Sequence, residues 1–406
     1  MRLSEFSAID HAFMARALRL AERGLYTTQP NPRVGCAIAR EGEVVGEGWH
    51  ERAGEPHAEV FALRAAGERA RGATAYVTLE PCAHHGRTPP CADALVEAGV
   101  ARVIAACEDP NPKTAGGGLR RLREAGIEVQ AGLMSNAARE LNCGFFSRIE
   151  RGRPWARVKL AMSLDGRTAL GSGESKWITG EAARTDVQRW RARSSAILTG
   201  AGTARADDPR LTVRLPVSET LSPVGRGQGE GAANTSAKVP PHPNPLPGGE
   251  RETSLRAAFI PPLRIILDAQ LNALPANAHL LDGSAPTLVL HAPDAQPRDQ
   301  RYARTELAPV PVDAQGRFDL AAAMHLLAAR EINELQVEAG PSLCGALFDA
   351  ELVDELLLYV APVLLGDLAR PLLHLPPLAE MAGRKSLRVV DQRMIGTDIR
   401  LLLRPT

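Results

Sequence analysis

Pro56-His57-Ala58-Glu59, followed by Pro81-Cys82-Ala83-His84-His85-Gly86-Arg87-Thr88-Pro89-Pro90-Cys91, is the stretch from which the fold of this chain is read. Val60, Leu63 and Ala66 recur at helical spacing, so Glu59 to Arg69 is expected to be a helix opened just after Pro56. Ala73 to Leu79 is a short apolar run and is expected to be a buried strand, and Ala92 to Ala98 to be helical again. The two cysteines therefore fall where a strand ends and where a helix begins.

The same alternation extends outward. Asp10 is expected to cap an amphipathic helix running to Glu22 and ended by Gly24, and Val34 to Arg40 with Val44 to Trp49 to form a hairpin about Glu41-Gly42. Strand Arg102 to Ala106, helix Leu119 to Ala125 and strand Glu128 to Gly132 follow. Arg151-Gly152-Arg153-Pro154 breaks the pattern. A second alternating region then begins with strand Ala156 to Ala161, helix Glu181 to Arg191 and strand Ser195 to Thr199. It resumes with strand Arg264 to Leu267, helix Leu320 to Glu331, strand Leu335 to Glu338 and helix Leu343 to Ala350, and closes on strand Leu356 to Pro362. Strands alternating with helices predict α/β architecture with mostly parallel sheets, in two domains over 1–150 and 154–406. Between them in character lies Ser222 to Glu250, where twelve of 29 residues are glycine or proline. Such composition cannot bury enough apolar surface to offset its ordering entropy, so about 217–257 is expected to be a disordered insertion.

Composition narrows the function classes. With 406 residues, 44% hydrophobic and 23% charged, the chain has the makeup of a soluble two-domain protein. A net charge of +1 gives no global pull toward nucleic acid or an anionic membrane. No run approaches the roughly 18 apolar residues of a membrane span, and Met1 to Gly24 is interrupted by charges throughout. Six cysteines are too few for a disulfide scaffold, and a cytoplasmic location is expected. Asp354 to Pro362 is apolar enough to bury at an interface, which suggests a homo-oligomer.

His57, Cys82 and Cys91 offer one imidazole and two thiolates. That set leaves zinc a fourth position for water, as catalytic rather than structural sites require, with one ion per chain. Zinc lowers the pKa of its water toward about 7, and Glu59 would take the proton and pass it to a departing amine. His57 and Glu59, two residues apart, do not share a helical face, so the metal is expected off the helix end. His-x-Glu followed by Pro-Cys is the signature of zinc deaminases, here with eight residues between the cysteines. His84 or His85 could substitute for Cys91, and a purely structural zinc is the bland alternative.

The longer run resembles the bifunctional riboflavin-biosynthesis deaminase-reductase family. Further matches are Asn31-Pro32-Arg33-Val34-Gly35, Asp109-Pro110-Asn111-Pro112, Ser163-Leu164-Asp165-Gly166-Arg167, Ser175-Lys176-Trp177-Ile178-Thr179, Asp207-Asp208-Pro209 and Val337-Glu338-Ala339-Gly340-Pro341-Ser342. The resemblance implies a cytidine-deaminase-like three-layer domain followed by a dihydrofolate-reductase-like domain. It implies deamination of a pyrimidine ribotide and then NADPH-dependent reduction of its ribosyl chain. Asn31, His84, Arg87, Asp109 and Asn111 are then expected at the first substrate, and Ser175, Arg191, Leu211, Arg214 and Glu338 at the second. Ala161, Trp177, Thr203, Asp207 and the turn from Gly340 through Pro341, Ser342, Leu343, Cys344 and Gly345 to Ala346 are expected near NADPH. Lys159 and Glu338 are candidates for delivering a proton during reduction. Ala269 stands where the family often has serine, and the insertion begins soon after Arg214.

Other readings stay open on the residues alone. One is a deaminase of free bases or nucleic acid with an unrelated partner domain, against which the neutral charge counts. Another is a zinc-stabilised binding protein. No Gly-x-Gly-x-x-Gly occurs, so the second half is not expected to be a Rossmann domain.

Overall fold

The computed structural model describes residues 6–83, 89–112, 114–176, 178–214 and 259–406. Helix α1 (Ala8–Glu22) is capped by Ser7, not by Asp10. The Ser7 hydroxyl accepts the Asp10 N–H (3.1 Å), while the Asp10 carboxylate accepts the Ser7 N–H (2.9 Å). Asp10 is thus the returning half of a capping box, which places the helix start three residues earlier than its own position suggests. Strands β1 (Gly35–Arg40) and β2 (Glu43–Trp49) form the expected hairpin. Glu41 and Gly42, with φ of 54° and 83°, take the left-handed geometry that a tight hairpin turn needs.

Helix α2 (Ala58–Ala66), strand β3 (Thr74–Val77), helix α3 (Cys91–Glu97), strand β4 (Arg102–Ala105), helix α4 (Gly117–Glu124) and strand β5 (Glu128–Ala131) follow. They build one sheet in the order β2-β1-β3-β4-β5, with the last three strands parallel. Alternate side chains of β1 supply two cores. Cys36 and Ile38 pack with Ala58, Ala62 and Leu95 on one face, and Ala37 and Ala39 pack with Met14, Phe145 and Phe146 on the other. Helices α5 (Ser135–Leu141) and α6 (Cys143–Arg151), unforeseen in the sequence, complete that second face. The result is a three-layer sandwich. The zinc-motif helix α2 lies so close to β2 that a Cβ on Gly46 or Gly48 would come within 2.2 or 2.3 Å of the Ala62 or Ala58 carbonyl oxygen.

The rest of the chain forms strands β6 (Trp155–Ser163) and β7 (Arg167–Ala169), helix α7 (Glu181–Arg193), strand β8 (Ala196–Gly200) and helix α8 (Ala201–Asp207). Strands β9 (Leu263–Leu267), β10 (Thr287–His291) and β11 (Glu306–Pro309) come next, then helix α9 (Leu320–Ala329), strand β12 (Glu334–Val337), helix α10 (Pro341–Asp349) and strand β13 (Glu355–Ala361). The short β14 (Arg370–Pro371) pairs with β7, and the hairpin of β15 (Leu387–Ile395) and β16 (Asp398–Pro405) ends the fold. The order is β11-β10-β9-β8-β12-β6-β13-β16-β15, parallel as far as β13 and antiparallel beyond it. Both β12 and β13 are buried along their whole length, as strands covered on two faces are.

Two expectations fail here. Residues 354–362 do not form an interface, because β13 lies inside the sheet between β6 and β16. Nor does β13 close the sheet. The closing hairpin was invisible because β15 mixes Arg388, Asp391 and Arg393 among its apolar residues and is mostly exposed. The expected insertion at 217–257 lies outside the described residues.

The two sheets are joined through buried charge. The Arg33 guanidinium, in the segment before β1, donates to Glu334 at the start of β12 (2.7 Å), 301 residues away. Arg193 (3.0 Å) and Arg157 (3.2 Å) bind the same carboxylate, whose side chain is only 1% exposed. Beside it, Asn333 donates to the Pro30 carbonyl (2.8 Å) and accepts from Arg148 (2.6 Å).

Candidate active sites

The first site forms where two helices begin. His57 is the N-cap of α2 in extended geometry (φ −76°, ψ 166°), so its ring leaves the helix axis as expected, while Glu59 sits in the first turn. Cys91 opens α3, and its backbone N–H points at Cys82 Sγ (3.3 Å). His57 Nδ1 stands 3.7 Å from Cys82 Sγ and 3.3 Å from Cys91 Sγ. With zinc bonds of about 2.3 Å to sulfur and 2.0–2.1 Å to nitrogen, tetrahedral ligand atoms lie roughly 3.5–3.8 Å apart. The three donors therefore fit zinc. Hydrogen bonding from Cys91, reinforced by His57, lowers the Cys82 thiol against the effect of burial, which favours the thiolate a metal needs.

Glu59 is 3% exposed, and its Oε2 has no hydrogen-bond partner among the described residues. Burial pushes its carboxyl up to about 7. These groups border a cavity of about 540 Å³ that also receives Asn31, His50, Asp109, Asn111 and Thr114. Of the expected ribotide contacts, Asn31, Asp109 and Asn111 are thus beside the zinc donors, whereas His84 and Arg87 lie outside the described residues. His50, which hydrogen-bonds the Asn31 amide (3.1 Å), and Thr114 were missed. So was Glu331, contributed by the segment after α9. No local spacing signals any of them, since each reaches the cavity only by folding.

The second site lies where the carboxyl ends of β6, β8 and β12 meet α7, α8 and α10, the usual place for a ligand in a parallel sheet. Its cavity of about 730 Å³ is lined by the expected Lys159, Ala161, Ser175, Arg191, Thr203, Asp207, Leu211 and Glu338, and by Gly340 through Leu343. Lys176, Arg184 and Arg370 also face it, a cationic lining suited to phosphates. The Gly340 N–H is held by Thr203 Oγ1 (2.9 Å), which fixes the start of α10 toward the cavity. The free N–H groups of that helix end and the cationic rim fit a dinucleotide phosphate.

Cys344, Gly345 and Ala346 stand outside this lining. Cys344 is buried with its thiol on the Ala339 carbonyl (3.3 Å), and Gly345 packs on the backbone of His374. Only the first turn of α10 can face the cavity. Arg214 is not in the lining either; its backbone N–H is held by Gln188 Oε1 (2.9 Å), and burial followed by the nearby Arg191 charge pushes its guanidinium down. Trp177 lies outside the described residues.

Arg191 donates twice to Glu338, at 2.7 Å each, and Gln336 adds a third bond (2.8 Å). Burial raises the Glu338 carboxyl, but the Arg191 charge outweighs it and holds the group at about 2. Burial pushes the Lys159 ammonium down, partly offset by Glu338.

Comparison with known proteins gives a consistent result over both sites. Residues 154–401 match the family described as the RibD C-terminal domain, and residues 7–107 match the cytidine and deoxycytidylate deaminase zinc-binding region. The riboflavin biosynthesis protein RibD of Escherichia coli is 48% identical over 97% of this chain and 99% of its own length. That of Haemophilus influenzae is 47% identical over 99% of each. The solved structure of Acinetobacter baumannii RibD superposes with a TM-score of 0.82 at 41% identity, over 98% of this chain and 99% of that one. The diaminohydroxyphosphoribosylaminopyrimidine deaminase/5-amino-6-(5-phosphoribosylamino)uracil reductase of Thermotoga maritima does so at 0.79 and 28% identity, over the same shares.

Proposed function

The chain belongs to the RibD family of bifunctional riboflavin-biosynthesis enzymes, and on that premise we propose how its residues divide a deamination and a reduction between two sites. The substrate of the first is 2,5-diamino-6-ribosylamino-4(3H)-pyrimidinone 5′-phosphate; the second reduces the ribosyl chain of the product to ribityl with NADPH. The observation that carries the first assignment is the convergence of His57, Cys82 and Cys91 beside a buried Glu59 whose Oε2 has no partner among the described residues, at a cavity lined by Asn31, Asp109 and Asn111.

His57, Cys82 and Cys91 would hold zinc, which when bound would lower the pKa of a water toward neutrality. Glu59, poised near 7, both accepts the proton of the attacking water and returns it to the departing amine. The N–H of Cys91 donates to Cys82 Sγ and orients it. Asn31, Asp109 and Asn111 orient the ring and ribose of the ribotide. We assign residues 1–150 to this unit and 154–406 to the reductase.

In the second site NADPH supplies the hydride, with Thr203, Asp207 and the turn Gly340-Pro341-Ser342 as its phosphate and ribose contacts. Glu338, ionised and bonded twice to Arg191, has no proton to give at neutral pH. It holds Arg191 for the sugar phosphate, and the proton falls to Lys159, whose acidity burial increases. Lys159 is thus the proton donor and Glu338 its electrostatic partner.

We place the enzyme in the cytoplasm, where its six free cysteines stay reduced. No described helix is long and apolar enough to cross a membrane. A second copy would cover Leu364, Leu368, Met381, Val389 and Met394, each between 55% and 94% exposed.

The reading is tested by supplying the ribotide with and without NADPH and following ammonia and NADPH separately. Ammonia release is expected to proceed equally in both, and NADPH consumption only after deamination. Consumption of NADPH with no prior ammonia release would contradict the order.

A further inference from the structure

Glu80 stands just before the zinc-ligand segment Pro81-Cys82 and is 4% exposed, and its carboxylate faces backbone rather than a described cationic side chain. It gathers four backbone N–H groups. Oε2 accepts from Asp109 (3.2 Å) and Gly116 (2.9 Å), and Oε1 accepts from Gly118 (2.9 Å) and Leu119 (3.2 Å). One side chain thus fixes both ends of the loop 109–119 and the start of α4. The loop is held equally tightly by shape, because a Cβ on Gly118 would lie 1.7 Å from the Pro81 carbonyl oxygen. Within it, the Asn111 N–H binds Asp109 Oδ1 (2.8 Å) and the Thr114 N–H binds the Asn111 carbonyl (2.8 Å). Residues 109–112 and 114–119 are thus tied both to Glu80 and to one another.

This loop carries Asp109, Asn111 and Thr114 into the deaminase cavity. Thr114 is 3% exposed, and its hydroxyl has no hydrogen-bond partner among the described residues. A buried hydroxyl without a partner is destabilising, so one that borders a polar cavity is explained best by a ligand that satisfies it. We propose that Glu80 is a positioning residue of the deaminase site, clamping the loop 109–119 so that the Thr114 hydroxyl hydrogen-bonds the pyrimidine ribotide beside Asp109 and Asn111. Glu80 also borders the cavity, but both its carboxylate oxygens are engaged by the N–H groups of Asp109, Gly116, Gly118 and Leu119, so it acts through the loop while Thr114 touches the substrate. The inference rests on the deaminase reading of this cavity.

The test is steady-state ammonia release by the full-length, zinc-loaded enzyme. Glutamine at 80 keeps the size but replaces one acceptor oxygen by an amide that opposes N–H donors. Glu80→Gln is expected to raise KM for the ribotide about tenfold, with kcat within about threefold of wild type and zinc near one per chain. Thr114→Val keeps the shape and removes only the hydroxyl. It is expected to raise KM about three- to tenfold, the worth of one hydrogen bond, with kcat unchanged. NADPH oxidation on the already deaminated ribotide is expected to be unchanged in both, which separates a displaced loop from a damaged fold. An unaltered KM in Thr114→Val overturns the proposal even if Glu80→Gln fails to fold. Loss of zinc and kcat at constant KM in Glu80→Gln overturns the clamp. If wild type releases no ammonia at all, the deaminase reading itself has failed, a result distinct from either.

Discussion

Glu59→Gln is expected to slow ammonia release by about 10³-fold or more while leaving zinc near one per chain. A positioned proton carrier contributes about 10²- to 10⁴-fold, and here one group serves both proton transfers, which places the loss toward the upper end. The amide keeps the volume of a side chain that is 3% exposed, so packing is preserved. His57, Cys82 and Cys91 are untouched, hence the expectation for zinc, read by metal analysis of the purified variant. NADPH oxidation on the deaminated ribotide is expected at the wild-type rate, because Lys159, Arg191 and Glu338 border the other cavity. Retained ammonia turnover would remove the role given to Glu59.

The second large effect concerns the joint between the sheets. Glu334→Gln leaves the guanidinium groups of Arg33, Arg157 and Arg193 around a neutral side chain in a site 1% exposed. Breaking a buried pair by removing one partner costs about 3–5 kcal/mol, since the remaining charges stay desolvated. Arg157 keeps Glu355 (2.6 Å), whereas Arg33 and Arg193 lose their carboxylate. The urea midpoint is expected to fall accordingly. Burial raises the Glu334 carboxyl, but Arg193, Arg33 and Arg157 together hold it well below its ordinary value of 4.5. A depressed carboxyl stabilises the fold above its unfolded value and loses that contribution as the pH drops below about 4.5. Wild type is therefore expected to lose more stability than Glu334→Gln on acidification, and the two denaturation curves to converge. Parallel curves at pH 7 and pH 3.5 would show that the carboxylate is not what the arginines require.

What could be read in the sequence follows from how local each signal is. The hairpin about Glu41-Gly42, the helix after His57 and the strands feeding both cavities announce themselves within ten residues or so. The zinc donors were legible for the same reason, because His-x-Glu and Pro-Cys are short and sit at element ends. The capping box misled because Asp10 looks like a cap and is in fact its reciprocal partner. Helices α5 and α6 carry little signal because Ser135–Leu141 is barely two turns long and α6 runs into the break at Arg151 to Pro154. The hairpin β15–β16 was missed because an exposed edge strand carries no clean alternation. Glu80, Thr114, His50 and Glu331 could not have been ranked, since nothing at their own positions distinguishes them. Their meaning comes from segments 19 to 39 residues away, or from the second sheet altogether.

The central claim is that zinc on His57, Cys82 and Cys91 drives the first reaction only, with the second site complete without it. Enzyme stripped by a zinc chelator and dialysed is given the ribotide with NADPH, and in parallel the already deaminated ribotide with NADPH. Ammonia release is expected to vanish in the first and return on adding one equivalent of zinc, while the second consumes NADPH at the rate of untreated enzyme throughout. Ammonia released at an undiminished rate by protein shown to be zinc-free would contradict the account.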